Sequence, residues 1–166
     1  MPTYGLLVSG GIDSKCLKHM YPDAIKYHYI NSEDVDQSTD PDITGIDISS
    51  YDEKHEGMQA KTVELLDDIS LGLDNIIYGY HTPYASLSSL PDAPTEGTNN
   101  LIKPFENWYK HDIIKYAVEN NIDLRDCVSC LNEKTHAGCG ECYQCQERAM
   151  ALSLLDSEGY DYSSVI

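Results

Sequence analysis

The apolar positions fall into two kinds of run. Tyr4-Gly5-Leu6-Leu7-Val8 is short and continuous, which suits a strand buried on both faces. Residues Lys15 to Tyr21 predict a short helix stopped by Pro22. Ala24 to Ile30 predicts a second strand, rich in β-branched and aromatic residues, and Ile43 to Ile48 a third. Between them, residues 31 to 42 are polar and acidic and read as a loop. From Tyr51 to Ile69, the positions of Met58, Val63, Leu65, Leu66 and Ile69 fit one face of a helix. Asn75 to Gly79 predicts a fourth strand.

Residues 80 to 100 hold three prolines among Ser, Thr and Asn and read as a long loop, a kind that in compact domains is often functional. Leu101 to Phe105 predicts a short edge strand, Trp108 to Asn120 a helix, and Gln146 to Leu155 another; Ser157 to Ile166 shows no usable period. Strands alternating with helices predict an α/β fold with a mostly parallel sheet flanked by helices, in one domain spanning 1–166.

The first strand and first helix are joined by Ser9-Gly10-Gly11-Ile12-Asp13-Ser14. A glycine pair there lets the backbone turn tightly, and the N–H groups at the helix start then face an anion. Ser9 and Ser14 add hydroxyls, and Asp13 stands where Mg²⁺ on bound phosphates needs a carboxylate. The spaced glycines and Gly-Lys-Ser/Thr of the Walker pattern are absent. The bland alternative is an ordinary strand-to-helix turn.

Composition narrows the partners. The formal charge is −17, which argues against a broad nucleic-acid footprint and an anionic membrane surface. A small anion such as ATP stays compatible, since backbone N–H groups, a few cations and Mg²⁺ can reverse the local sign. Met1-Pro2 opens no cationic, apolar leader, and no apolar run reaches the ~20 residues of a membrane span; the expectation is a soluble, cytoplasmic protein.

Five of the six cysteines lie between Cys127 and Cys145. Cys130, Cys139, Cys142 and Cys145 give C-x8-C-x2-C-x2-C, a spacing that lets four thiolates surround Zn²⁺. An iron–sulfur cluster uses similar gaps and remains the rival. Cys127 is either a substitute ligand or a buried apolar residue, and His136 lies in the span as a lesser ligand candidate. Cys16 reads as core.

Taken together, the Ser9–Ser14 loop and the ending Ser129-Cys130 … Cys139-Gly140-Glu141-Cys142-Tyr143-Gln144-Cys145-Gln146-Glu147-Arg148 resemble the 7-cyano-7-deazaguanine synthase family of pyrophosphatase-loop enzymes. Between them, Ile102-Lys103-Pro104-Phe105 and Lys110-His111-Asp112-Ile113-Ile114 are similar to the family's strand end and helix start, and Gly79 with Pro91-Asp92 to its substrate loop. Residues 31 to 50 lack the family's usual Tyr-Gly-Gln continuation.

The resemblance implies an adenine nucleotide alpha-hydrolase-like, Rossmann-like fold with a C-terminal zinc-binding helical segment over 127–148. It implies ATP, Mg²⁺ and Zn²⁺ as cofactors, and a homodimer. The activity it implies is conversion of a deazapurine carboxylic acid, 7-carboxy-7-deazaguanine, with ammonia to the nitrile or its amide through an adenylated intermediate. Ser9, Gly10, Gly11, Ile12, Asp13 and Ser14 would bind ATP, and Asp13, Ser14 and Lys110 would serve catalysis. Taken singly, His81 and Asp92 flank the long loop and Arg148 lies three residues after the last cysteine, and these three are the candidates for binding substrate. The bland readings are a solvated helix-start lysine for Lys110, with Lys103 a weaker analogue, a turn aspartate for Asp92, and pairing with Glu141 or Glu147 for Arg148. Two other functions stand beside it: a tRNA-modifying enzyme of the same loop type, and a nucleotide- or deazapurine-binding protein with altered chemistry.

Overall fold

A computed structural model describes residues 2–8, 10–30, 43–47, 72–87, 101–130 and 135–166. The chain divides into two compact units, each discontinuous in sequence: Met1–Ser9, Tyr21–Tyr78 and Pro91–Pro104 form one, and Gly10–Met20, Gly79–Leu90 and Phe105–Ile166 the other.

The first unit carries the sheet. Its described strands are β1 (Tyr4–Leu7), β2 (Ile25–Ile30), β3 (Ile43–Asp47), β4 (Asn75–Ile77) and β5 (Leu101–Ile102), in the order β3-β2-β1-β4-β5. All four pairings are parallel, with Gly5 opposite both Ile25 and Ile76. Leu6, Ile76 and Ile77 are buried, as both-face burial of a parallel sheet requires. Each such side chain contributes about 1.5–3 kcal/mol. Gly5 is a matter of space: a Cβ there would lie 2.5 Å from Leu73 Cδ1 and 3.3 Å from the Tyr27 ring. The strand order reverses between β1 and β4. In sequence, both strands are followed by glycine, at Gly10–Gly11 and Gly79.

The second unit holds three helices among its described residues: α1 (Ile12–Met20), α2 (Lys110–Glu119) and α3 (Tyr143–Glu158). Helix α2 packs on both α1 and α3. Its buried stripe is Lys110, Ile113, Ile114 and Ala117, an i, i+3, i+4, i+7 pattern in which the first member is a lysine. In α3, Glu147, Ala151 and Leu155 are buried at i, i+4, i+8. The unpatterned C-terminal tail also has a place: Val165 is buried, and its carbonyl accepts the Leu124 N–H at 2.8 Å. Among the described residues, no helix is long and apolar enough to cross a membrane.

The parallel α/β architecture expected from the sequence is present, with differences at element ends. Helix α1 starts at Ile12, not Lys15, because Gly10 at φ 78° breaks the extended chain before it. The fifth strand is two residues long, since the chain turns from Pro104 onward. Helix α3 starts at Tyr143, so Cys145 belongs to the helix itself. The loop read at 31–42 and the helix read over 51–69 lie outside the described residues.

Candidate active site and metal centre

The glycine turn delivers Asp13 to the first turn of α1, with Ile12 and Ser14 buried beside it. Gly10 has open space around its Cα, so its requirement is the positive φ, which favours glycine. The turn is tied to the segment before the cysteines, because Gly10 O accepts the Val128 N–H at 3.1 Å and Lys15 is ion-paired with Asp126.

Three more side chains converge on Asp13. His81 follows Gly79, where a Cβ would stand 3.3 Å from Leu17 Cδ1 and 3.5 Å from Asp13 Cβ, so the backbone passes close to α1. Thr82 fixes the segment beyond, donating its N–H to Trp108 O and its hydroxyl to Glu106 O, both at 2.8 Å. Lys110 comes from the first turn of α2, whose start is braced by the Tyr109 N–H donating to Asp112 Oδ2 at 2.8 Å. Glu147 comes from α3.

The four side chains close a ring of alternating charge. Lys110 Nζ donates to Asp13 Oδ1 at 2.6 Å and lies 3.4 Å from Glu147 Oε1. His81 Nε2 is 2.9 Å from Glu147 Oε2, and its Nδ1 is 3.4 Å from Asp13 Oδ2. Tyr143 donates its hydroxyl to Glu147 Oε2 at 3.2 Å.

Burial opposes every charge in the ring, and the partners overcome it. At Asp13, burial pulls upward, but Lys110 and His81 hold the carboxyl well below the usual carboxylate range. Burial would lower His81; its bonds to Asp13 and Glu147 win and raise it to about 9. Lys110 is likewise raised against burial by Asp13 and Glu147, and Glu147 lowered against burial by His81 and Lys110. At neutral pH the ring therefore holds two carboxylates, an ammonium and an imidazolium, with no net charge. Such a group can meet a polyanion through Lys110 and a divalent cation through Asp13.

Beside it, Tyr84 and His111 are locked together. Tyr84 Oη is 2.8 Å from His111 Nδ1 and accepts the His111 N–H at 3.1 Å. With Tyr109 they form a nearly parallel set, the ring planes within 14° and the centroids 5.4–5.8 Å apart. Burial pushes the Tyr84 phenol up to about 12.

The four expected cysteines come together. The Sγ atoms of Cys130, Cys139, Cys142 and Cys145 lie within 4.8 Å of one another, against about 3.8 Å for the edge of a tetrahedron with Zn–S bonds of about 2.3 Å. Backbone N–H groups already point at sulfur: Glu141 and Cys142 to Cys139 Sγ at 3.4 and 3.3 Å, and Cys139 to Cys130 Sγ at 3.3 Å. These donors stabilise thiolate, the form a metal binds. Gly138, at φ 70°, completes the cradle, since a Cβ there would sit 2.5 Å from Cys145 Sγ. The donor set and its packing fit a zinc ion.

The remaining candidates fall into place individually. Arg148 donates from its guanidinium to the carbonyls of His136 and, at 2.7 Å, Ala137, bracing the cysteine loop, and among the described residues it forms no ion pair with Glu141 or Glu147. His136 faces the Cys127 carbonyl through Nδ1 at 2.8 Å. Cys127 and Cys16 are buried thiols, pushed up by burial to about 11 and about 12. Lys103 follows β5 in the first unit. Ser9 and Asp92 lie outside the described residues.

The sequence alone does not mark Glu147 and Tyr143 as site residues. Their signal is the stripe in α3, where a carboxylate takes a core position at helical spacing from Ala151 and Leu155.

No curated protein matches the chain. A family model does: that of the queuosine biosynthesis protein QueC, over residues 80–156. That span contains His81, Lys110, Glu147 and all four cysteines, and across it the resemblance read from the sequence is borne out.

Proposed function

We propose that the chain is an ATP-dependent synthase of deazaguanine biosynthesis that converts 7-carboxy-7-deazaguanine with ammonia to 7-cyano-7-deazaguanine or its amide. The observation that carries this reading is the closed ring that Lys110, Glu147 and His81 make with Asp13 of the glycine turn. The QueC match supports the pathway.

In this reading the Gly10–Ser14 turn and Lys110 hold the triphosphate of ATP. The acid's carboxylate oxygen attacks the α-phosphorus, and the bond to the pyrophosphate oxygen breaks. Ammonia then attacks the acyl carbon, a proton is lost, and AMP leaves with its electron pair to give the amide. For the nitrile, a second ATP adenylates the amide oxygen, and the two N–H protons are lost as AMP departs. Lys110, held as an ammonium, offsets charge on the departing group. Mg²⁺ at Asp13 would supply further positive charge there. Zinc at the four cysteines would organise the fold and take no part in the chemistry.

The test is incubation of the purified protein with ATP, Mg²⁺, ammonium and 7-carboxy-7-deazaguanine, with products weighed by mass spectrometry. AMP together with the amide or nitrile is expected. AMP formed with tRNA and not with the acid would turn the reading toward nucleic-acid modification. Retention of the acid without AMP would mark a binding protein.

A further inference from the structure

Glu147 is the most enclosed member of the ring, at 1% exposure, although it stands far in sequence from the glycine turn. Its Oε2 is held by His81 Nε2 and the Tyr143 hydroxyl, while its Oε1 receives no hydrogen bond among the described residues and has the Lys110 ammonium at 3.4 Å. A carboxylate this buried is costly to keep ionised, and two well-packed apolar groups would be at least as stable a filling. Its place among these charges therefore points to what it does for its neighbours.

Without Glu147, both cations of the ring would have Asp13 as their sole carboxylate. Lys110 is already 2.6 Å from Asp13 Oδ1, and His81 3.4 Å from Oδ2. Two cations drawn wholly onto one carboxylate would occupy both of its oxygens and compete with a divalent ion there. Helix α3 fixes the second carboxylate: it begins in the cysteine centre, carries Cys145 on its first turn and presents Glu147 two residues later.

We propose that Glu147 is a positioning residue. Held from α3, it shares Lys110 and His81 with Asp13 and so leaves Asp13 able to engage a magnesium–nucleotide complex. This rests on the nucleotide reading for Asp13 and extends it to a residue outside the loop.

The decisive experiment titrates His81 by NMR of its ring protons in the parent, Glu147→Gln and Glu147→Asp, alongside steady-state AMP formation. The groups facing His81 are Asp13 from α1, Lys110 from α2, and Glu147 with its bonded Tyr143 from α3. In Glu147→Gln the His81 midpoint should fall by roughly one pH unit or more. Its KM for magnesium–ATP should rise about 10-fold or more, with kcat shifting less. Glu147→Asp keeps the charge on a shorter arm, so its midpoint should stay above that of Gln and its KM for magnesium–ATP should lie between those of Gln and the parent; it also serves if the Gln variant does not fold. A folded Glu147→Gln protein with the parent's His81 midpoint, or the parent's KM for magnesium–ATP, overturns the proposal. A parent that takes up no ATP overturns the nucleotide reading instead, and the histidine titration still decides whether Glu147 holds the ring.

Discussion

The second unit holds two polar centres built on opposite principles. In the ring of Asp13, Lys110, Glu147 and His81, charges of both signs, buried or half-buried, are paired with one another. In the four-cysteine centre every donor is of one kind, and its anionic form needs a cation from outside the chain. The first is therefore sensitive to the loss of any one member, and the second to the loss of a metal. Helix α3 belongs to both, through Cys145 and Glu147.

Removing the metal should break the contrast most severely. Structural zinc sites release on the order of 10–16 kcal/mol on binding, so a strong chelator, or Cys139→Ser, should lower the thermal midpoint by roughly 10 °C or more. Metal analysis should return one zinc per chain; iron with sulfide would assign the centre to the rival cluster. A chelated protein with an unshifted melting curve would mean that the cysteines do not organise this fold.

Next in size is Lys110→Met. It leaves the buried Glu147 and the half-buried Asp13 with His81 as the ring's remaining cation, and breaking a buried pair this way costs up to about 3–5 kcal/mol. Urea unfolding should register that loss, and AMP formation should fall far more steeply than stability. Equal stability of variant and parent would show that the ring is not the coupled unit described above.

A smaller effect follows from pH. His81 is raised from 6.5 to about 9 in the folded chain. Its contribution is therefore fully present below about pH 6.5 and is lost as pH rises through about 9, with a ceiling of about 3 kcal/mol. Denaturant midpoints at pH 6.5 and 9.5 should differ in the parent and converge in His81→Gln. An equal slope in both proteins would remove His81 from the account.

The smallest effect belongs to Asp126→Asn. Its partner Lys15 is partly exposed and Asp126 largely so, and pairs of that kind contribute less than about 1 kcal/mol. Calorimetric unfolding should barely change and zinc content should not change at all. A large loss would mean that the segment before the cysteines is held to α1 more tightly than this pair and the Val128–Gly10 bond imply.

These sites differ also in how far they could be read in advance. The cysteine centre was legible because its ligands are close in sequence and of one rare type. The glycine turn is legible because it interrupts an apolar run, Lys110 through the family resemblance, and His81 through its place at the edge of the long loop. Glu147 was not, since beside Arg148 and three cysteines a glutamate looks like helix surface. Only the packing of α3 on α2 shows that it faces inward. Arg148 drew attention as a ligand for substrate, yet its donors go to two loop carbonyls that no spacing rule announces. The sheet came through well because parallel strands are nearly uninterrupted apolar runs. Element ends did not, because they are set by local dihedrals at Gly10 and by the turn after Pro104.

Cys145 and Glu147 are separated by a single residue on α3, so the two centres inherit one another's register. One residue added or lost between them would swing the carboxylate about 100° around the helix axis, away from Lys110 and His81, even with all four sulfurs retained. Length variation should therefore be forbidden at that step long before any individual side chain is, and descendants of this sequence would keep or abandon both centres as a pair.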